Sequence, residues 1–118
     1  MRHGKIDYLE YPSSDLQATK AFFDAVFGWE FTDYGPEYTA FSGQGLQGGG
    51  GFYHAELSSN SDQGAALAVF YSDDLPATQA QVEAAGGKLL KPIFSFPEGS
   101  RFHFEEPSGN EFAVWTEA

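Results

Sequence analysis

The sequence predicts an α+β fold made of two tandem βαβββ modules. Three observations predict it: an internal repeat at half the chain length, strand-type runs separated by turn signals, and one capped helical stripe in each half. The pentapeptide Asp15-Leu16-Gln17-Ala18-Thr19 returns 59 residues later as Asp74-Leu75-Pro76-Ala77-Thr78. The same shift lays Tyr11 on Phe70, Phe23 on Val82, Ala25 on Ala84 and Gly28 on Gly87, so the agreement runs through a whole supersecondary unit. The polar stretch Ser58-Ser59-Asn60-Ser61-Asp62-Gln63-Gly64 has linker composition. It divides a single domain, residues 1–118, into module 1, about residues 4–57, and module 2, about residues 65–117.

Each module opens with a strand rich in branched and aromatic residues, Ile6–Tyr11 and Ala66–Tyr71. In the first helix Ser14 or Asp15 caps the start, Leu16, Phe22, Phe23, Val26 and Phe27 form one stripe, and Gly28 supplies the left-handed end. In the second, Asp73 or Asp74 is the cap, Pro76 sits in the first turn where its missing N–H does no harm, and Gly86-Gly87 ends the helix. Three strands then follow each helix: Trp29–Tyr34, Tyr38–Ser42 and Gly51–Leu57, then Lys88–Phe96, Arg101–Glu105 and Glu111–Thr116. Alternation assigns their faces. Leu9, Tyr11, Phe102, Phe104, Phe112 and Val114 fit a helix-packed side, and Tyr8, Glu10, Arg101, His103, Glu105, Glu111, Ala113 and Trp115 fall opposite.

Composition narrows the function classes. Hydrophobic residues make up 42% of the 118, with 12 Phe, 6 Tyr and 2 Trp, which is too apolar and aromatic for disorder even at a net charge of −11. Seventeen acidic against six basic residues repel phosphate backbones and anionic lipid, so neither nucleic acid nor membrane is an expected partner. No apolar run approaches the roughly 18–20 residues that span a bilayer, and the first residues lack a signal-peptide core, so a cytoplasmic protein is expected. The absence of Cys removes disulfides, thiolate metal sites and cysteine nucleophiles. Gly43-Gln44-Gly45-Leu46-Gln47-Gly48 matches the spacing of a dinucleotide fingerprint, but that signature works between a strand and a helix N-terminus, and here more glycine and an aromatic strand follow. The run Gly48–Gly51 instead lets backbone curve, bulge or approach a ligand or second subunit, or forms a flap.

The entry Tyr11-Pro12-Ser13-Ser14-Asp15-Leu16, then Ala21-Phe22-Phe23 and Phe27-Gly28-Trp29-Glu30-Phe31, and the closing Glu106-Pro107-Ser108-Gly109-Asn110-Glu111-Phe112-Ala113-Val114-Trp115 together resemble the vicinal oxygen chelate superfamily, the glyoxalase, bleomycin-resistance and extradiol-dioxygenase group. The resemblance covers nearly the whole chain. It implies curved mixed sheets around a cup, a small organic ligand, a homodimer, and one divalent metal on four His, Glu or Gln ligands. Its metal positions fall here on Tyr8, on Leu67 by the repeat, on Ala113, and on His54 when Ala113 is shifted back by 59 residues. Only His54 is a donor of the right kind, and a stable site needs roughly three or more. The expected cofactor is therefore none, with a divalent metal rebuilt around His54, Glu10 and Glu56 as the alternative.

Curvature of the family's kind gathers Tyr8, Glu10, His54, Tyr71, Arg101, His103 and Trp115 around one cavity. Glu10 and His103 are the candidate acid–base residues, because a carboxylate in a short apolar strand and an imidazole near neutral pH suit proton transfer. Arg101 suits a carboxylate or phosphate, while Tyr8, Tyr71 and Trp115 suit a flat ligand and His54 a former metal position. Each has a plainer reading: solvent-facing strand residues, an edge ion pair for Arg101 with Glu98, Glu105 or Glu106, and core or rim aromatics. Three functions stay open at this point: a metal-independent or atypically metalated lyase, isomerase or dioxygenase; a small-molecule sequestering protein of the resistance type; and a dimerising protein with a vestigial cup.

Overall fold

A computed structural model describes residues 2–42 and 48–118. Its elements run β1 (Leu9–Ser13), α1 (Leu16–Phe27), β2 (Phe31–Asp33), β3 (Tyr38–Phe41), β4 (Gly50–His54), β5 (Ala68–Tyr71), α2 (Leu75–Ala84), β6 (Lys88–Phe96), β7 (Gly99–Glu105) and β8 (Glu111–Glu117), with a short 3-10 turn at Ser61–Gln63. They form two four-stranded sheets, ordered β1-β4-β3-β2 and β5-β8-β7-β6. In each sheet the opening strand pairs parallel with the last, β1 with β4 and β5 with β8, and the remaining pairs are antiparallel. This is the α+β architecture of two tandem βαβββ modules, and neither sheet closes into a barrel.

The repeated pentapeptide encodes a hydrogen-bonded entry to each helix. In module 1 the Asp15 N–H donates to Ser13 Oγ at 3.1 Å, Ala18 N–H donates to Asp15 Oδ1 at 3.1 Å, and the Ser13 and Thr19 hydroxyls bond at 2.8 Å. Module 2 repeats the set at the same spacing: Asp74 N–H to Ser72 at 3.0 Å, Ala77 N–H to Asp74 at 3.1 Å, and Ser72 to Thr78 at 2.7 Å. The first turn of a helix leaves its N–H groups without backbone partners; the Asp carboxylate satisfies one of them, and the Ser hydroxyl takes the N–H of the cap residue itself. At the far end Gly28 takes φ 69° and closes α1 on Phe23 and Asp24 carbonyls, as a left-handed glycine should.

One aromatic core serves both modules. Phe23 of α1 stacks on Trp29 at 4.5 Å between ring centroids and touches Phe52 of the first sheet and Phe70 and Phe112 of the second. Its neighbour Phe22 reaches Phe104 on β7. The closing motif clasps the halves. The Asn110 side-chain amide donates to the Pro12 carbonyl at 2.7 Å and its oxygen accepts the Ser59 N–H at 2.7 Å, while Thr19 of α1 donates to the buried Glu106 carboxylate. The Glu106–Asn110 segment is thus a structural joint between modules.

Strand boundaries shift in the places where side chains do not decide them. β1 is Leu9–Ser13 rather than Ile6–Tyr11, with Ile6 exposed before it, and β4 stops at His54 rather than Leu57. Pairing sets these ends, since the register of β1 with β4 runs from Leu9↔Gly50 to Ser13↔His54. The glycine run brings backbones together: a Cβ at Gly49 would meet the Phe41 carbonyl at 2.1 Å and one at Gly50 the Leu9 carbonyl at 2.4 Å. Residues 43–47 of the Gly43–Gly48 motif lie outside the described residues.

Candidate functional site

Two polar groups stand on the open faces, one per sheet. On the first sheet Tyr38 of β3 donates to Glu10 Oε2 at 2.8 Å, and its oxygen also bonds the Tyr8 hydroxyl. The β1–β4–β3 register makes this possible, because Glu10 pairs with Gly51 and Gly51 with Ala40, leaving a side-chain-free strip between Glu10 and Tyr38. A Cβ at Gly51 would lie 2.0 Å from the Tyr38 hydroxyl, so glycine there clears the space the phenol occupies. Desolvation first, then the bonds to Tyr8 and Glu10, hold the Tyr38 phenol well above its ordinary pKa. Tyr8 and Glu10 were legible from strand alternation. Tyr38 was not, since only cross-strand pairing shows what its ring reaches over.

On the second sheet Arg101, His103 and Glu111 form a chain. Arg101 Nε–H donates to His103 Nε2 at 3.2 Å, and His103 Nδ1 lies 2.9 Å from Glu111 Oε2. An imidazole nitrogen that accepts carries no proton, so the hydrogen sits on Nδ1 and is donated to Glu111. Burial alone would raise the Glu111 carboxyl, but the Ser61 N–H, His103 and the Ser61 hydroxyl outweigh it and hold it below the usual carboxylate range. Phe94 lies over the His103 ring at 6.0 Å, and Trp115, paired directly with Arg101, meets Tyr71 edge-on at 5.4 Å. Among the described residues the guanidinium makes no other hydrogen bond. Strand alternation places Glu111 on the open face, and its capture of Ser61, 50 residues earlier, has no signature in either local pattern.

His54 is corrected. In β4 it shares the parity of Phe52, which is fully buried against α1, and it pairs with Ser13 on that same helix-facing side. Its ring makes an exposed contact with Glu56 at 3.7 Å. The 59-residue shift fails here because the repeat gains length before its last strand: Tyr11 pairs with Phe52 while its counterpart Phe70 pairs with Val114, so the closing strands correspond at 62 residues. The counterpart of Ala113 is therefore Gly51, and that of Trp115 is Tyr53. The seven candidates also fall into separate groups. No hydrogen bond, ion pair or ring contact among the described residues joins Tyr8 and Glu10 to Tyr71, Arg101, His103 and Trp115. A groove of about 370 Å³ takes Tyr8 and another of about 400 Å³ takes Glu10, and neither reaches Arg101.

With the register corrected, the four family metal positions hold Tyr8, Leu67, Gly51 and Ala113, a set with no imidazole and no carboxylate. No cluster of three or more His, Cys, Asp or Glu that would hold a metal occurs among the described residues.

Two βαβββ units sharing one core, each presenting a polar-aromatic open face, define a paired-module protein. The chain belongs to the Glyoxalase/Bleomycin resistance protein/Dioxygenase superfamily, whose family model matches residues 5–114. It is 31% identical to a glyoxylase-like domain-containing protein of Didymella fabae, over 97% of this chain and 94% of that one. It is 31% identical to the anthracycline biosynthesis protein DnrV of Streptomyces peucetius over 92% of this chain and 45% of that one, so it spans about half the length of that relative. Among solved structures, a glyoxalase-related enzyme from Fulvimarina pelagi matches with a TM-score of 0.80 at 18% identity, covering 97% of this chain and 88% of that one. The fosfomycin resistance protein FosX of Listeria monocytogenes, complexed with Mn(II) and a dihydroxypropylphosphonic acid, matches with a TM-score of 0.78 at 18% identity, covering 98% and 91%. No helix among the described residues is long and apolar enough to cross a membrane.

Proposed function

We propose that this chain binds a small aromatic molecule bearing a carboxylate or phosphonate, on the open face of its second sheet. What supports the reading is the held guanidinium: His103 fixes Arg101 through Nε, Glu111 fixes the His103 tautomer, and Arg101 pairs across the sheet with Trp115, which meets Tyr71 edge-on. A planar fork with one edge anchored loses little freedom when its other edge takes an anion in bidentate fashion. Both ring nitrogens of His103 are engaged, so on this reading it positions Arg101 rather than moving protons. That favours sequestration over turnover at this face. The same reading has the protein working in the cytoplasm as a homodimer, which would cover part of the exposed apolar surface outside that face, such as Ile6 and Leu57.

Thermal-shift measurements with benzoate and phenylphosphonate test it, because a ligand of the native state alone raises the melting temperature. We expect a concentration-dependent rise that is lost in Arg101→Ala and weakened in Trp115→Ala. A rise that survives Arg101→Ala would sink the reading. Mass-spectrometric recovery of the ligand unchanged after prolonged incubation separates sequestration from turnover.

A further inference from the structure

We propose that the open face of the first sheet is a second, independent ligand site that takes an organic ammonium group, a protonated primary amine on a small apolar or aromatic molecule. Tyr38 has one hydroxyl hydrogen, and it is donated to Glu10 Oε2 at 2.8 Å, since a carboxylate only accepts. The bond between Tyr38 and Tyr8 must therefore be donated by Tyr8. Every hydrogen in the chain Tyr8 → Tyr38 → Glu10 is then committed. What remains open is acceptor capacity: a lone pair on the Tyr8 oxygen, with the ring 39% exposed, and the second oxygen of Glu10, which has no partner among the described residues.

Such an end accepts N–H or O–H donors and repels anions. The surroundings favour the charged donor. Tyr8 lines a groove of about 370 Å³ whose own carboxylate is Glu30, beside Tyr34, Thr32 and Ala40, while Glu10 lines a separate groove of about 400 Å³ and is tied to Tyr8 only through Tyr38; no Lys or Arg lines either groove among the described residues. Each volume falls in the range of small-molecule pockets, and aromatic walls beside a carboxylate suit a cation. A chain at net charge −11 adds a long-range field of the same sign. Gly51 completes the device, because any side chain there would displace the Tyr38 hydroxyl that orders the chain.

Isothermal titration of the full chain with benzylamine at pH 7, against benzyltrimethylammonium and benzoate, tests the site. Benzylamine should bind, and benzyltrimethylammonium, equally charged but without N–H, should bind at least about tenfold more weakly, as expected for losing a charge-assisted hydrogen bond. Glu10→Gln and Tyr8→Phe should each weaken benzylamine about tenfold or more, with near-ultraviolet circular dichroism reporting that the fold is kept. Tyr38→Phe should weaken it too, because the freed Tyr8 hydroxyl no longer presents a committed acceptor. Arg101→Ala should change benzylamine binding by less than about twofold, which separates this site from the anion site. Equal binding of the two cations, no effect of Glu10→Gln, loss in Arg101→Ala, or no benzylamine binding at millimolar concentration would each overturn the proposal.

Discussion

At the scale of single residues, two buried carboxylates titrate in opposite directions. Glu106 is 1% exposed; its burial outweighs the bonds from Ser108 and Thr19, and with repulsion from Asp15 it raises the carboxyl above the ordinary value. A carboxyl raised in the folded state costs stability when ionised, and that cost is relieved as pH falls through the raised pKa toward the unfolded value of about 4.3. Glu106→Gln is therefore expected to be at least as stable as the parent at pH 7 and to lose that advantage near pH 4, read by urea denaturation at both. Glu106→Ala removes the acceptor altogether and should cost about 1–3 kcal/mol for each donor left unpaired. Glu111 runs the other way. Its folded pKa is lowered, so it contributes stability above the unfolded value that is lost as pH falls through the folded one. Glu111→Gln should be destabilised at pH 7, and the difference should vanish in strong acid. If the two Gln variants showed pH profiles of the same sign, the assignment of these environments would be wrong.

Elements carry the repeat, and they also show where it has diverged. The Asp15 and Asp74 caps make matching bonds, so Asp15→Ala and Asp74→Ala should each cost about 0.5–2 kcal/mol in chemical denaturation. Their threonines are not equivalent. Thr19 is fully buried and its hydroxyl also bonds Glu106, whereas Thr78 is half-buried and among the described residues its hydroxyl bonds Ser72 alone, so Thr19→Val should cost clearly more than Thr78→Val. In β4, Gly51→Ala places a methyl 2.0 Å from the Tyr38 hydroxyl and should cost about 1–3 kcal/mol through overpacking. Tyr38→Ala should suppress that penalty in a double-mutant cycle, because it removes the group the methyl strikes.

Across the whole molecule, stability is pooled in one core. Phe23→Ala opens a cavity between both sheets and should cost about 3–5 kcal/mol, with the two modules unfolding in a single transition by fluorescence and circular dichroism. While the structure chose Asp15 over Ser14 and Asp74 over Asp73, the sequence by itself determined the module order, each helix cap to within one residue, the Gly28 helix end and the helix-facing sides of β1, β7 and β8. Each of these follows from local hydrogen-bond demand or from the two-residue period of a strand, which a single segment carries complete. Tertiary structure decided what crosses between segments. A fixed 59-residue shift assigned His54 to the open face, and only the β1–β4 and β5–β8 registers show that the last strands correspond three residues further on, at 62. The union of Tyr38 with Glu10 and the capture of Ser61 by Glu111 are likewise pairings between distant strands and loops. Which residues meet there is set by sheet register and by the packing of one core against both sheets, and neither quantity is written in any local run of residues.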